Sequence, residues 1–181
     1  MHGRIWTVSN GLSALRILLV YPIIFYLSSA DQSDRFIAAG LIVLAACTDF
    51  FDGLIARLLH QVSDLGKVID PIADKLGIGA VAIALAVQGD LPVWFLLLLL
   101  ARDASIFLGG LYVHRTKGVI LQSTMVGKWA AGSLAALILA IVIGLPPLAP
   151  VVTGLFILSV ALMAISFGLY ARRFISLVMQ H

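Results

Sequence analysis

Six long apolar stretches follow one another along the chain, separated by short polar breaks. Each stretch is long enough to cross a hydrocarbon core of about 30 Å, for which a helix needs roughly 20 residues. No stretch alternates with the period of a barrel strand, and backbone groups in lipid must be paired within the spanning structure, which favours helices. We therefore predict six transmembrane helices, over residues 9–29, 34–58, 66–88, 91–113, 123–144 and 150–173.

The breaks between these stretches predict the topology. They are short and polar or rich in glycine and proline, so neighbouring helices are expected to be antiparallel within one domain over residues 1–181. The breaks fall at residues 28–34, 60–64, 88–92, 114–118 and 144–147. If the N-terminus lies inside, Arg35 is the cation at an outer segment, and most other cations at helix ends lie on or next to cytoplasmic segments. The positive-inside rule favours this arrangement. These cations are Arg4, Arg57, Arg115, Lys117, Arg172 and Arg173. Both termini are therefore predicted to be cytoplasmic.

Composition strengthens the membrane prediction. Of the 181 residues, 61% are hydrophobic and 12% are charged, whereas a soluble domain carries roughly a quarter charged residues. The mean hydropathy is +1.09. The fold class is therefore predicted to be an all-α integral membrane protein. The net charge of +3 is too small to indicate a nucleic-acid partner, and the single cysteine, Cys47, excludes a disulfide framework.

Four aspartates form two pairs at the facing ends of the second and third predicted helices. Asp49 and Asp52 lie near the end of the second helix, and Asp70 and Asp74 lie in the first turns of the third. Residues three or four apart share a helix face, and the short connection allows antiparallel packing to bring both pairs together. Four clustered carboxylates at a membrane boundary require a cation between them. Oxygen ligands without His or Cys favour Mg²⁺, Mn²⁺ or Ca²⁺ over zinc.

Residue types alone leave several functions open. Two divalent ions could clamp a pyrophosphate and activate an attacking hydroxyl. Alternatively, the aspartates could pair with the cations that flank them, Arg57, Lys67 and Lys75. A third interpretation is an ion or proton pathway in a small transporter. A membrane scaffold without chemistry gives no account of the cation that the four acids require.

The residues between the two pairs favour a nucleotide diphosphate over a bare ion. Small side chains leave room for a bulky group against a helix, and Arg57 can neutralise phosphate oxygens. The full pattern reads Asp49-x2-Asp52-Gly53-x2-Ala56-Arg57-x8-Gly66-x3-Asp70-x3-Asp74. It resembles the signature of the CDP-alcohol phosphatidyltransferase family at every position. The first helix, with Asn10-Gly11-Leu12, Arg16 and Pro22, is similar to the phosphatidylglycerophosphate synthase branch.

The resemblance implies an active site open to the cytoplasm that holds two divalent metal ions, Mg²⁺ or Mn²⁺. Asp49, Asp52 and Asp70 would be the principal metal ligands, and Asp74 would combine metal contact with the role of catalytic base. The CDP moiety would be received by Asp49, Gly53, Ala56, Arg57 and Gly66. The implied reaction transfers a phosphatidyl group from CDP-diacylglycerol to a hydroxyl acceptor and releases CMP.

Further cations in or at the ends of helices suggest an acceptor that carries phosphate. A cation is costly there unless an anion compensates it. Arg102 could instead pair with Asp103 or with a neighbouring helix. The candidate acceptor-binding residues are Arg16, Arg102, Arg115 and Lys128. The segments around Arg102 and Lys128 resemble both phosphatidylglycerophosphate synthases and eukaryotic-type cardiolipin synthases.

Glycerol 3-phosphate is therefore the expected acceptor. Phosphatidylglycerol, which would make the protein a cardiolipin synthase, and an inositol phosphate are the alternatives. Besides these substrates, membrane lipid is the expected partner. Apolar helices also pair across lipid, so a homodimer is a further possibility, although composition does not distinguish it from a monomer.

Overall fold

Six α-helices make up the described part of the chain, which confirms the predicted fold class. The computed structural model describes the backbone of residues 8–29, 31–59, 66–118 and 124–179, and the side chains of residues 15, 17–29, 31–48, 77–118 and 124–179. Within these ranges there is no strand. The helices are α1 (Val8–Leu27), α2 (Gln32–Leu59), α3 (Gly66–Gln88), α4 (Val93–Lys117), α5 (Met125–Ile143) and α6 (Ala149–Met179), with a 3₁₀ turn at Pro146–Leu148.

Two helices continue beyond the ends predicted from hydropathy. Helix α4 runs to Lys117 and α6 runs to Met179. The predicted break at residues 114–118 was wrong for its first four residues, which are helical. The backbone ends α4 at Gly118, whose φ is +66° and whose N–H donates to the carbonyl oxygen of His114. Hydropathy marks where the apolar stretch stops, whereas a left-handed cap marks where the helix stops.

Three segments of the described chain have the length and apolar surface of membrane-spanning helices. Helices α4 and α5 and the segment Pro146–Met179 are each long and apolar enough to cross a bilayer. Only 17% of the apolar window of α4 and 11% of that of Pro146–Met179 are buried within the protein. Apolar surface exposed on this scale is compatible with lipid and not with water. The chain is therefore a multi-pass membrane protein.

The first compact unit comprises Met1–Asp90 with Val142–Gly144. Within it, α1 packs against both α2 and α3. Leu27 of α1, Ala38 of α2 and Ala82 of α3 are fully buried. Alanine at such positions lets helix backbones approach closely, which is how helices gain van der Waals contact in lipid. Helix α1 thus holds the two helices that carry the aspartate pairs.

Polar contacts join helix ends within the first unit. Arg35, in the first turn of α2, forms an ion pair with Asp90, which follows α3. The Gln32 side-chain amide donates to the carbonyl oxygen of Ile143, at the end of α5, over 2.6 Å. Because the last carbonyls of a helix lack a partner within it, this bond satisfies one that would otherwise need water. These contacts lie at the end of α2 opposite to its aspartate pair.

The second compact unit comprises Leu91–Ile141 with Leu145–His181. Ring contacts join α4 to α6 near both ends of α4. The ring centroids of Phe95 and Phe156 lie 4.8 Å apart, and those of Tyr112 and Phe174 lie 6.0 Å apart. Because the earlier residues of the two helices meet each other, as do the later ones, α4 and α6 run in the same direction. This agrees with helices that alternate in direction along the chain, and the single domain over residues 1–181 stays a prediction.

Candidate active site

The predicted metal ligands lie on two helices of the first unit. Positions 49 and 52 belong to the second half of α2, and positions 70 and 74 belong to the first turns of α3. The helical backbone is confirmed at both pairs, so each spacing places its two positions on one side of a helix. The side chains of Asp49, Asp52, Asp70 and Asp74 lie outside the described side chains. Their convergence on metal therefore stays a prediction.

The predicted CDP-binding residues follow the same two helices. Gly53, Ala56 and Arg57 belong to the last turns of α2, and Gly66 is the first residue of α3. Their side chains, like that of Arg16 in α1, lie outside the described side chains. The structure thus places all of these positions on helices, and their contacts with a nucleotide stay predictions.

Arg102 is held inside the second unit by two hydrogen bonds. Its side chain is 16% exposed. Nη1 donates to Asp103 Oδ1 over 2.7 Å, and Nη2 donates to Ser166 Oγ, on α6, over 3.1 Å. The alternative in which Arg102 pairs with Asp103 is thus confirmed as a contact. A guanidinium has five N–H groups, so these two bonds leave donors for a ligand.

The third nitrogen of Arg102, Nε, is buried. No described residue accepts a hydrogen bond from its Nε–H. A buried donor without a partner costs free energy, and such donors are uncommon in folded proteins. The donor is therefore a candidate contact for an anionic oxygen, and the role of Arg102 at an acceptor phosphate stays a prediction.

Ser166 and Gly127 lie beside the Arg102 guanidinium, and Thr124 lies beside Gly127. Ser166 is 3% exposed. The Gly127 N–H donates to Thr124 Oγ1 over 3.1 Å. A Cβ added at Gly127 would lie 3.2 Å from Ser166 Oγ, 3.3 Å from Thr124 Oγ1 and 3.9 Å from Arg102 Nη2. We define Arg102, Thr124, Gly127 and Ser166 as the Arg102 cluster.

Ser166 and Thr124 are not among the site residues predicted from the sequence. The sequence does contain a signal, the spacing of three polar residues on the largely apolar helix α6. Ser159, Ser166 and Tyr170 are seven and four residues apart, which places them on one side of the helix. In the structure, Ser159 Oγ donates to Ser133 Oγ over 3.2 Å, and Tyr170 Oη donates to the Ile106 carbonyl oxygen over 2.7 Å. This side of α6 is thus the one that bonds to other helices.

The remaining acceptor candidates of the second unit are exposed. Arg115 lies in the last turn of α4, and Lys128 lies in the first turn of α5. Arg115 is thirteen positions beyond Arg102 on the same helix, which separates their Cα atoms by about 20 Å. That distance suits two separate anionic groups better than one phosphate. Lys128 directly follows Gly127 and thus adjoins the Arg102 cluster in sequence.

A family model matches nearly the whole chain. The model describes CDP-alcohol phosphatidyltransferases and covers residues 6–170. The chain belongs to this family. As a CDP-alcohol phosphatidyltransferase, it is expected to use its aspartates in group transfer, and family membership favours this interpretation over a transporter pathway.

Individual relatives point to two branches of the CDP-alcohol phosphatidyltransferases. A Mycobacterium tuberculosis protein named "Probable phosphatidylglycerophosphate synthase" is 36% identical over 148 residues, which cover 80% of this chain and 67% of that protein. A Rickettsia bellii CDP-diacylglycerol–glycerol-3-phosphate 3-phosphatidyltransferase is 46% identical over 96 residues, or 52% of each chain. A candidate cardiolipin synthase of Mycobacterium bovis is 38% identical over 130 residues, which cover 71% of this chain and 61% of that protein.

Proposed function

We propose that this CDP-alcohol phosphatidyltransferase is a phosphatidylglycerophosphate synthase of phospholipid biosynthesis. It would transfer the phosphatidyl group of CDP-diacylglycerol to glycerol 3-phosphate and release CMP. The observation that carries the proposal is the 36% identity to the phosphatidylglycerophosphate synthase relative, in an alignment that covers 80% of this chain. The Rickettsia relative, whose name includes glycerol 3-phosphate, supports the same acceptor.

The donor is proposed to bind where α2 and α3 are connected. The carboxylates of Asp49, Asp52, Asp70 and Asp74 are oxygen donors of the kind that Mg²⁺ and Mn²⁺ prefer, and they would hold two such ions. When bound, the ions would neutralise negative charge on the pyrophosphate of CDP-diacylglycerol. The small positions 53, 56 and 66 would leave space for the nucleotide, and Arg57 would contact its phosphates.

Asp74 is proposed to be the catalytic base. Its carboxylate would accept the proton of the acceptor hydroxyl while the hydroxyl oxygen forms a bond to the β-phosphorus of CDP-diacylglycerol. The bond between that phosphorus and the bridging oxygen breaks, and CMP leaves with the electron pair. One phosphoester bond forms as one phosphoanhydride bond breaks, so the step needs no other reactant.

Recognition of the acceptor is proposed to involve Arg102. Its guanidinium is largely buried, and its Nε–H is without an acceptor among the described residues. A partly desolvated arginine binds phosphate more strongly than an exposed one, because the surrounding dielectric is lower. A neutral or cationic alcohol offers this donor no anionic oxygen, which supports an acceptor that carries phosphate.

Cardiolipin synthesis is the second candidate function, because one relative bears that name. Its acceptor, phosphatidylglycerol, carries its phosphate on a lipid, whereas glycerol 3-phosphate arrives from water. An inositol phosphate stays a further alternative. The three acceptors can therefore be compared in one assay.

The experiment is CMP release by the purified protein in detergent, with CDP-diacylglycerol and Mg²⁺ or Mn²⁺. Glycerol 3-phosphate, phosphatidylglycerol and an inositol phosphate are supplied separately. We expect metal-dependent release with glycerol 3-phosphate, and its loss in Asp74→Asn while CDP-diacylglycerol binding is retained. Release with phosphatidylglycerol alone would assign cardiolipin synthesis instead, and release without any metal would contradict the proposed chemistry.

The proposal includes the orientation of the protein in the membrane. Both termini and the active site are proposed to face the cytoplasm, since the basic last turn of α4 and the pair Arg172 and Arg173 in the last third of α6 are typical of cytoplasmic helix ends. A homodimer is also proposed, because the exposed apolar faces of the spanning helices can pair across lipid.

A further inference from the structure

The direction of a guanidinium depends on what fixes its nitrogens. Arginine has a long and flexible side chain, so an unrestrained Arg102 would sample many directions. Asp103 accepts a bond from Nη1 and Ser166 accepts one from Nη2. Because the guanidinium is planar, these two bonds determine where its Nε–H is directed. Asp103 follows Arg102 on the same helix, whereas Ser166 belongs to α6.

Ser166 is itself confined by its neighbours. It is 3% exposed, and its hydroxyl oxygen lies 3.2 Å from the position that a Cβ at residue 127 would occupy. Contacts between 3.0 and 3.4 Å are tighter than carbon and oxygen atoms normally make. A larger residue at position 127 would therefore displace Ser166 Oγ, and with it the bond to Arg102. Ser166 and Gly127 thus form one spatial constraint on the guanidinium.

We propose that Ser166 is a positioning residue for the acceptor substrate. It holds the Arg102 guanidinium so that the Nε–H is left for an oxygen of the acceptor's phosphate, and Gly127 provides the space for this arrangement. The inference rests on the proposed function, in which Arg102 binds that phosphate. Preorganising the arginine removes an ordering cost that would otherwise weaken acceptor binding.

The first test is Ser166→Ala, assayed by CMP release with each substrate varied in turn. Removing a hydrogen bond to a charged group should raise the acceptor KM by about tenfold. The kcat at saturating acceptor and the KM for CDP-diacylglycerol should each change by less than about twofold, since Ser166 is not among the proposed donor-binding residues. An unchanged acceptor KM, or an equal rise in both KM values, would overturn the proposal.

Ser159→Ala is the matched control. Ser159 is a buried serine on the same side of α6, but it bonds to Ser133 and not to an arginine. Its removal leaves Ser133 donating to the Ala130 carbonyl oxygen, so no new unsatisfied donor arises. We expect Ser159→Ala to leave the acceptor KM unchanged. Thermal unfolding in detergent, measured for both variants, separates a loss of folded protein from a loss of positioning.

A double-substitution comparison tests whether Ser166 acts through Arg102. If it does, Ser166→Ala should raise the acceptor KM in the wild-type background and have little further effect when Arg102→Ala is present. Additive effects of the two substitutions would mean that Ser166 acts independently, which contradicts a positioning role.

Two glycines of α5 provide a second matched pair. Alanine favours a helix more than glycine does, so neither Gly127→Ala nor Gly132→Ala should be disfavoured by helix propensity. A Cβ at Gly132 meets nothing within 4 Å. We expect Gly127→Ala to raise the acceptor KM by about tenfold and Gly132→Ala to leave it unchanged. Equal acceptor KM values in the two variants would contradict the inference that the space at Gly127 keeps Ser166 in place.

Failure of the inference can be distinguished from failure of the proposed function. If wild-type protein releases CMP with phosphatidylglycerol or an inositol phosphate in place of glycerol 3-phosphate, the proposed acceptor is wrong. The Ser166 and Gly127 comparisons are then made with the acceptor that works, and a selective rise in its KM still supports positioning. If glycerol 3-phosphate works and neither variant changes its KM, only the inference fails.

Discussion

At the scale of single residues, Gly109 shows how closely helices α4 and α6 approach. A Cβ added there would lie 2.9 Å from Tyr170 Oη and 3.3 Å from Tyr170 Cε1. The tyrosine hydroxyl uses this space to donate to the carbonyl oxygen of Ile106. A side chain at position 109 would therefore force the tyrosine away from its acceptor, and a partly buried hydroxyl that loses its partner is unfavourable.

We predict that Gly109→Ala lowers the free energy of unfolding by about 1–3 kcal/mol, the usual cost of overpacking. The control is Gly110→Ala, where the added Cβ would be 3.5 Å from Tyr170 Oη, an ordinary contact. Thermal unfolding in detergent measures both variants. Equal unfolding temperatures for the two would show that the tyrosine moves without cost.

The aspartate pairs make a second prediction at this scale. Asp49→Asn, Asp52→Asn and Asp70→Asn should each lower turnover by at least about a hundredfold, because a neutral amide binds a divalent ion far more weakly than a carboxylate. Raised Mg²⁺ or Mn²⁺ should restore only part of the rate. CMP release across a metal titration measures this.

Asp31→Asn is the control for these substitutions. Asp31 Oδ1 accepts a hydrogen bond from the Ser33 N–H, and an asparagine oxygen can do the same. Its turnover and metal dependence should match those of the wild type. Unchanged turnover in any variant of the two aspartate pairs would remove that residue from the proposed metal site.

At the scale of helices, the ion pair between Arg35 and Asp90 joins the start of α2 to the residue that follows α3. The two side chains are 21% and 31% exposed, so solvent screens much of their attraction. We predict that Arg35→Ala lowers the free energy of unfolding by no more than about 1 kcal/mol. Thermal unfolding should show partial recovery in the exchanged pair Arg35→Asp with Asp90→Arg. A loss of several kcal/mol would mean that the pair is far less solvated than its exposure indicates.

Helices could be predicted from the sequence far better than the contacts between them. The apolar stretches specify six helices because a membrane demands roughly 20 apolar residues in each span. The end of α4 depends on the left-handed backbone conformation of Gly118, which cannot be recognised from hydropathy. The bond between Arg102 and Ser166 joins positions 64 residues apart, and only packing brings these together. The aspartate motif was recognisable because its residues are close in sequence.

At the scale of the whole molecule, orientation is a testable prediction. The positive-inside rule places the C-terminus of α6, near Arg172 and Arg173, in the cytoplasm. A reporter fused to the C-terminus, active only in the cytoplasm, should be active, and a reporter that requires export should be inactive. A reporter inserted between α3 and α4 is the control and should give the opposite result. The reverse pattern would place the basic helix ends outside.

The unequal lengths of α5 and α6 affect how the protein fits bilayers of different thickness. Helix α5 has 19 residues and α6 has 31, which correspond to about 28 Å and about 46 Å along their axes. Hydrophobic mismatch is commonly relieved by tilting a long helix or by thinning the bilayer around a short one. In a bilayer with longer acyl chains, we expect α6 to become more upright, with its arginines in the headgroup layer. Helix α5 has no extra length to compensate in this way, so the bilayer around it is expected to become thinner instead.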